Sequence, residues 1–181
     1  MKSVLISIKP KWCELIASGI KTIEIRKTKP KLDTPFKCYI YCTLNGTSKM
    51  SLEEYFNGEW HKKKSKVIGE FICDEIIDAF DLAGSEFYAA SCMDIAEWLK
   101  YTDGHKGKVW CWHISALKMY DKPKELGAFY TKCRMDCELC KMRGYTRVNV
   151  DEFDMDCKSD WINHKPILRP PQSWCYVEEA K

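Results

Sequence analysis

The chain has 181 residues, of which 45% are hydrophobic and 30% charged, with a formal net charge of +3. That balance excludes a fully disordered or fibrous protein, and a chain of this length buries an adequate core without staples. No apolar run reaches the roughly 20 residues of a membrane-spanning helix, and Lys9-Pro10 interrupts the first apolar run too early for a signal peptide, so a soluble cytoplasmic domain is expected.

Val4 to Ile8 reads as a short strand. Pro10 suits the first turn of a helix, Trp12, Leu15 and Ile16 form its apolar stripe, and Gly19 is placed to end it. Lys21 to Lys27 alternates, with Ile23 and Ile25 on one face and Thr22, Glu24 and Arg26 on the other, the pattern of a half-buried strand. Phe36 to Thr43 is a second β-branched and aromatic strand, followed by an Asn45-Gly46 turn. Ser51 and Glu54 read as a capping box for a short helix ending at Asn57-Gly58. Further strands are expected at Lys66 to Cys73, Lys108 to Ile114 and Ser173 to Glu178, and Ser91 with Asp94 as caps for a helix that turns Ile95, Trp98 and Leu99 inward. Periodicity fails between Thr131 and Pro171. Short strands broken by single helices predict an α+β fold, a small mixed barrel with helices packed outside, in a single domain over 1–181. Residues 44–66 and the cysteine-rich 131–170 read as loop insertions.

Charge is uneven along the chain. Residues 1–31 hold eight basic and two acidic side chains, Lys62, Lys63, Lys64 and Lys66 form a second basic run, and Val67 to Leu99 holds eight acidic side chains and no basic one. One positive face of this kind attracts a phosphate backbone. Charge runs are also common on plain solvated surfaces.

The most informative segment is Gly19-Ile20-Lys21-Thr22-Ile23-Glu24-Ile25-Arg26, a G-x-K-x-x-E-x-R pattern between a helix and a strand. Glu24 and Arg26 share a strand face. Arg26 offers a planar fork of donors to a phosphate or a base edge, and Glu24 accepts from an amine or holds Arg26 in place. A surface ion-pair ladder has the same spacing. The pattern closely resembles the signature of the ASCH domain family, small β-barrels related to the PUA fold. The Ile68-Gly69-Glu70-Phe71 strand, the Trp112-His113-Ile114 strand and the terminal Pro170-Pro171-Gln172-Ser173-Trp174-Cys175-Tyr176-Val177 agree with it. The end of the chain is similar to that of small ASCH proteins of bacteria and their prophages.

The resemblance implies a PUA-like barrel that binds RNA or a nucleotide in a cleft floored by Lys21, Glu24, Arg26 and Glu70. Strict alternation puts Lys21 on the face opposite Glu24, and it is the resemblance that turns it into the cleft. One branch of the family resembles an amidohydrolase that removes the acetyl group of N4-acetylcytidine, whose lysine and glutamate correspond to Lys21 and Glu70. Its nucleophilic threonine falls on Glu24, and Thr22 stands two residues off. The alternative function is thus a small hydrolase of a modified nucleoside or of RNA, with Lys21, Glu24 and Glu70 as catalytic groups and a carboxylate as general base on water. By alternation Glu70 shares a face with Ile68 and Ile72.

Trp12, Trp174 and Tyr176 are candidates for stacking a base beside Arg26, with barrel-core packing as the competing role. Trp110 and Trp112 read as core. Cys133, Cys137 and Cys140, spaced C-x3-C-x2-C, with the distal Cys157, can close a tetrahedral structural zinc site, His164 being a substitute ligand. The same spacing occurs in radical enzymes that use S-adenosylmethionine, but this chain lacks their length and order. Most other cysteines read as core. A Cys111–His113 nucleophile pair lacks an evident orienting carboxylate in the sequence. No membrane partner is implied, and a monomer is expected.

Overall fold

The computed structural model describes residues 3–43, 65–82, 84–131 and 165–179. Chain order is β1 (Ser3–Ile8), α1 (Pro10–Ala17), β2 (Ile23–Arg26), β3 (Phe36–Cys42), β4 (Lys66–Cys73), β5 (Ile76–Asp78), α2 (Gly84–Ser91), α3 (Ile95–Thr102), β6 (Trp110–His113), β7 (Ser115–Lys124), β8 (Phe129–Thr131), β9 (Lys165–Pro166) and β10 (Trp174–Glu179). Single turns of 3-10 helix cover Ala79–Asp81 and Leu126–Ala128.

Two sheets form. Seven strands run β7-β4-β3-β1-β10-β8-β9, and three run β2-β6-β5. Among the described residues this is an open mixed α+β arrangement of two sheets and three α-helices, where the sequence predicts one barrel. The chain leaves the large sheet at β4 and returns at β7, and between them it builds β5 and β6 against β2. The expected 51–57 helix, most of the 44–66 insertion, and the cysteine cluster with His164 lie outside the described residues. No described helix is long and apolar enough to cross a membrane.

The alternation of β1 explains the layering. Val4, Ile6 and Ile8 pack with Cys13, Ile16, Cys38, Ile40, Ile68, Phe71 and Trp112 on one face of the large sheet. Leu5 joins Tyr39, Tyr41, Val67, Phe129 and Val177 on the other. With both faces covered, β1 is buried at every position, as expected for an inner strand. Ile23 and Ile25 of β2 form a third cluster with Cys111, Phe87 and Met93. Their alternates on β2 therefore turn inward, toward the first cluster.

Strand β4 breaks its own alternation. Its pairing with β7 shifts register between Val67 and Gly69 and again between Glu70 and Ile72. At Gly69 a Cβ would stand 2.7 Å from the Lys118 carbonyl oxygen, so only glycine admits the close approach of β7. The shift places Glu70 opposite Tyr39, on the face away from Ile68.

Candidate functional site

The turn after α1 creates the site. Gly19 ends the helix at φ +74°, and the N–H groups of Ile20 and Lys21 both donate to the Leu15 carbonyl. This tight exit swings Lys21 into the interior before β2 begins. Its ammonium donates to the Ser91 carbonyl at 2.7 Å and stands 3.6 Å from Glu24 Oε2. Ser91 is the last residue of α2, and Cys92 ends that helix in the left-handed region at φ +56°. The Lys21 ammonium also lies 4.8 Å from the centroid of the Trp12 ring.

Glu24 and Arg26 follow on one face of β2. Arg26 Nη1 lies 2.9 Å from Glu24 Oε1, and Nη2 donates to the Ser7 carbonyl of β1 at 2.7 Å. The guanidinium thus ties the small sheet to the large one. All three side chains are shielded: 2% of Lys21, 4% of Glu24 and 12% of Arg26 remains accessible. Burial lowers the pKa of Lys21, and the Glu24 charge opposes that shift.

Polar capacity is left over. Glu24 Oε2 and Arg26 Nε are sealed from solvent without a hydrogen-bond partner among the described residues, and so is Trp112 Nε1. Trp112 pairs directly with Glu24 across the small sheet. An unmet buried donor or acceptor costs about 1–3 kcal/mol, so the arrangement favours a guest or ordered water that meets these atoms.

The aromatic candidates separate into two places. Trp12 stands beside Lys21, with Lys11 Nζ 4.4 Å from its ring centroid. Trp174 and Tyr176 pack edge to face at 5.5 Å, and Trp174 lies 5.9 Å from Trp112. Both are held by the segment between β2 and β3. Trp174 Nε1 donates to Thr28 Oγ1 at 3.0 Å, and the Lys31 N–H donates to the Tyr176 hydroxyl at 2.8 Å. Lys29 of the same segment sits 3.9 Å from the Trp110 ring centroid. Trp112 is core, as its sequence reading has it, while Trp110 is only partly buried.

Glu70 does not join this group. Its carboxylate accepts from Tyr120 and from Lys37, at 3.0 Å for the lysine. Tyr39 and Tyr120 belong to the opposite face of the large sheet, so the sheet stands between Glu70 and Lys21. Burial acts to raise the Glu70 pKa, but the hydrogen bonds from Tyr120 and Lys37 and the nearby Lys118 outweigh it and hold the carboxyl below its ordinary value. The sequence reading fails here because it assumes strict alternation across a strand that carries two register shifts.

Sequence reasoning also missed the carboxylate beside His113. Asp74 Oδ1 lies 2.7 Å from His113 Nδ1, joining the turn after β4 to the end of β6. Burial pushes the Cys111 thiol up to about 12, away from thiolate character at neutral pH. The Ser7 and Ser91 carbonyls left no signal in the sequence, since backbone acceptors carry no residue signature.

The chain belongs to the ASCH domain family, whose model matches residues 6–124. Solved structures agree at the level of fold. The crystal structure of ASCH from Zymomonas mobilis superposes with a TM-score of 0.57 at 18% identity, over 97% of this chain and 87% of that one. Two mutant forms of the Zymomonas mobilis protein give 0.57 at 17% identity over 97% and 88% of the two chains, and 0.56 at 18% over 98% and 91%. No curated protein sequence matches the chain.

Proposed function

We propose that the chain binds single-stranded RNA or a nucleotide at Lys21, Glu24 and Arg26, with Trp12 on one side and Trp174 and Tyr176 on the other as stacking surfaces. The observation that carries this reading is a shielded cluster of two cations and one anion with hydrogen-bonding capacity unmet. A purely structural ion pair gains most when every donor and acceptor is satisfied. The surrounding lysines, among them Lys11, Lys27, Lys29 and Lys31, supply the longer-range attraction to phosphate. Family membership supports the same reading.

Fluorescence anisotropy with a labelled single-stranded RNA tests it. Affinity is weak and falls steeply between about 50 and about 200 mM salt, as counterion release requires. Arg26→Ala reduces it, with circular dichroism reporting whether the domain stays folded. Unchanged affinity in a folded Arg26→Ala protein at low salt removes the assignment.

A further inference from the structure

The inference rests on the reading just given and concerns which part of the nucleic acid the cluster holds. Lys21 and Arg26 against Glu24 leave one positive charge in excess within a shielded site. The neighbouring thiols supply no compensating anion. Burial pushes the pKa of Cys13 and Cys38 well up, and Cys92 is raised too, so all three stay protonated at neutral pH. An unbalanced charge taken out of water costs several kcal/mol.

The hydrogen-bond inventory leans the same way. Unmet donors are Arg26 Nε and Trp112 Nε1, and beside them stands the Lys21 ammonium, a three-donor cation that donates to Ser91 and faces Glu24 Oε2 at 3.6 Å. The unmet acceptor is Glu24 Oε2. A neutral base edge mixes donors with acceptors and brings no charge. A phosphate brings acceptor oxygens and a negative charge, and an adjacent ribose hydroxyl brings the donor.

We propose that the cluster grips a ribose–phosphate unit, its phosphate oxygens on Lys21, Arg26 and Trp112 and its ribose hydroxyl donating to Glu24 Oε2, and does not read a base edge. The same unit occurs in the RNA backbone and in a free ribonucleotide. Glu24 would then distinguish ribose from deoxyribose, since only ribose has the 2′-hydroxyl.

Competition against a labelled oligouridylate of about ten nucleotides at low salt tests this. The competitors are unlabelled oligouridylate, oligoadenylate and oligocytidylate RNA, their deoxy counterparts, an abasic ribose–phosphate polymer, ribose 5-phosphate and uridine. RNA should compete about tenfold better than DNA, the loss expected for one charge-assisted hydrogen bond. The spread among bases should be smaller than that. The abasic polymer should compete, and uridine should not. Competition by ribose 5-phosphate would identify a free nucleotide as sufficient, while competition by polymers alone would identify the backbone. Glu24→Gln should narrow the RNA-to-DNA gap, and the wild-type comparisons stand without that variant should it fail to fold. A base preference larger than the sugar preference, or uridine competing as well as the polymers, would overturn the inference and leave RNA binding intact. Failure of the labelled RNA to bind at all would instead overturn the binding reading, and the inference with it.

Discussion

Glu24 and Arg26 stand two residues apart on the same face of a four-residue strand, their carboxylate oxygen and guanidinium nitrogen 2.9 Å apart in the space between the two sheets. Lys21 reaches the same carboxylate from the turn before that strand. One anion therefore serves two cations, and each charge depends on the other two.

Removing the shared anion should be costly. Glu24→Ala leaves Lys21 and Arg26 buried with like charge and should lose about 3–5 kcal/mol in urea unfolding. Lys21→Met removes the surplus cation and should cost less. The pH dependence of this pair of proteins has a definite sign. Burial lowers the folded-state pKa of Lys21, so between that value and the ordinary 10.5 the unfolded chain binds more protons than the folded one. Stability of wild type relative to Lys21→Met should thus rise as pH climbs through that window, having been at its lowest below the folded pKa. A flat or falling difference up to pH 10.5 would contradict the burial of a charged lysine.

Glu70 should act on stability and leave RNA binding alone. Its folded-state pKa is lowered, so its contribution is present above the ordinary 4.5 and is lost as pH falls through the folded value. Glu70→Gln should therefore destabilise by about 1 kcal/mol at neutral pH, with the difference vanishing in acid. The RNA affinity of the variant should match wild type, since the large sheet separates Glu70 from Lys21. The hydrolase alternative demands the reverse, that Glu70→Gln abolish turnover of acetylated cytidine or of RNA.

How far the sequence discloses this arrangement varies by element. Alternation assigns Ile23 and Ile25 to one face of β2 and Glu24 and Arg26 to the other, and the fold keeps that division. What alternation does not disclose is that the polar face is covered as well. The covering comes from β1, whose Ser7 carbonyl takes Arg26, and from the end of α2, whose Ser91 carbonyl takes Lys21, while β6 and β5 extend the small sheet beside β2. β5 is only three residues long and too short to show a period. Ser91 reads as a helix cap in the sequence, yet it closes α2, a helix that starts at Gly84 without a strong apolar stripe; Asp94 caps α3 as read, but its capping-box partner is Glu97, three residues on, and not Ser91. Ile95 and Leu99 of α3 are 62% and 61% exposed, against the expectation that they face inward; Trp98 alone of the three packs against Phe87. Strict alternation misplaces Glu70 for a separate reason, the register shifts around Gly69, where β4 slips against both β3 and β7.

The cysteine spacing carries a prediction of its own. We propose one structural zinc per chain on Cys133, Cys137, Cys140 and Cys157, because four thiolates at this spacing complete a tetrahedral shell and leave no open position for water. Elemental analysis of protein purified without chelator should find about one equivalent. Less than about a tenth of an equivalent of zinc or iron, with these four thiols titrating freely, would assign the cluster to composition alone.

Nucleic acid in the buried cluster would be felt by two N–H groups that have no partner among the described residues, Arg26 Nε–H and Trp112 Nε1–H. In nitrogen-15 NMR spectra each gives its own side-chain resonance, and a titration with single-stranded RNA reports on the site without any substitution. Both resonances should move along the same saturation curve as RNA is added, because each gains an acceptor. If RNA saturates the protein while both resonances stay in place, the ligand sits elsewhere and the cluster is not its binding site.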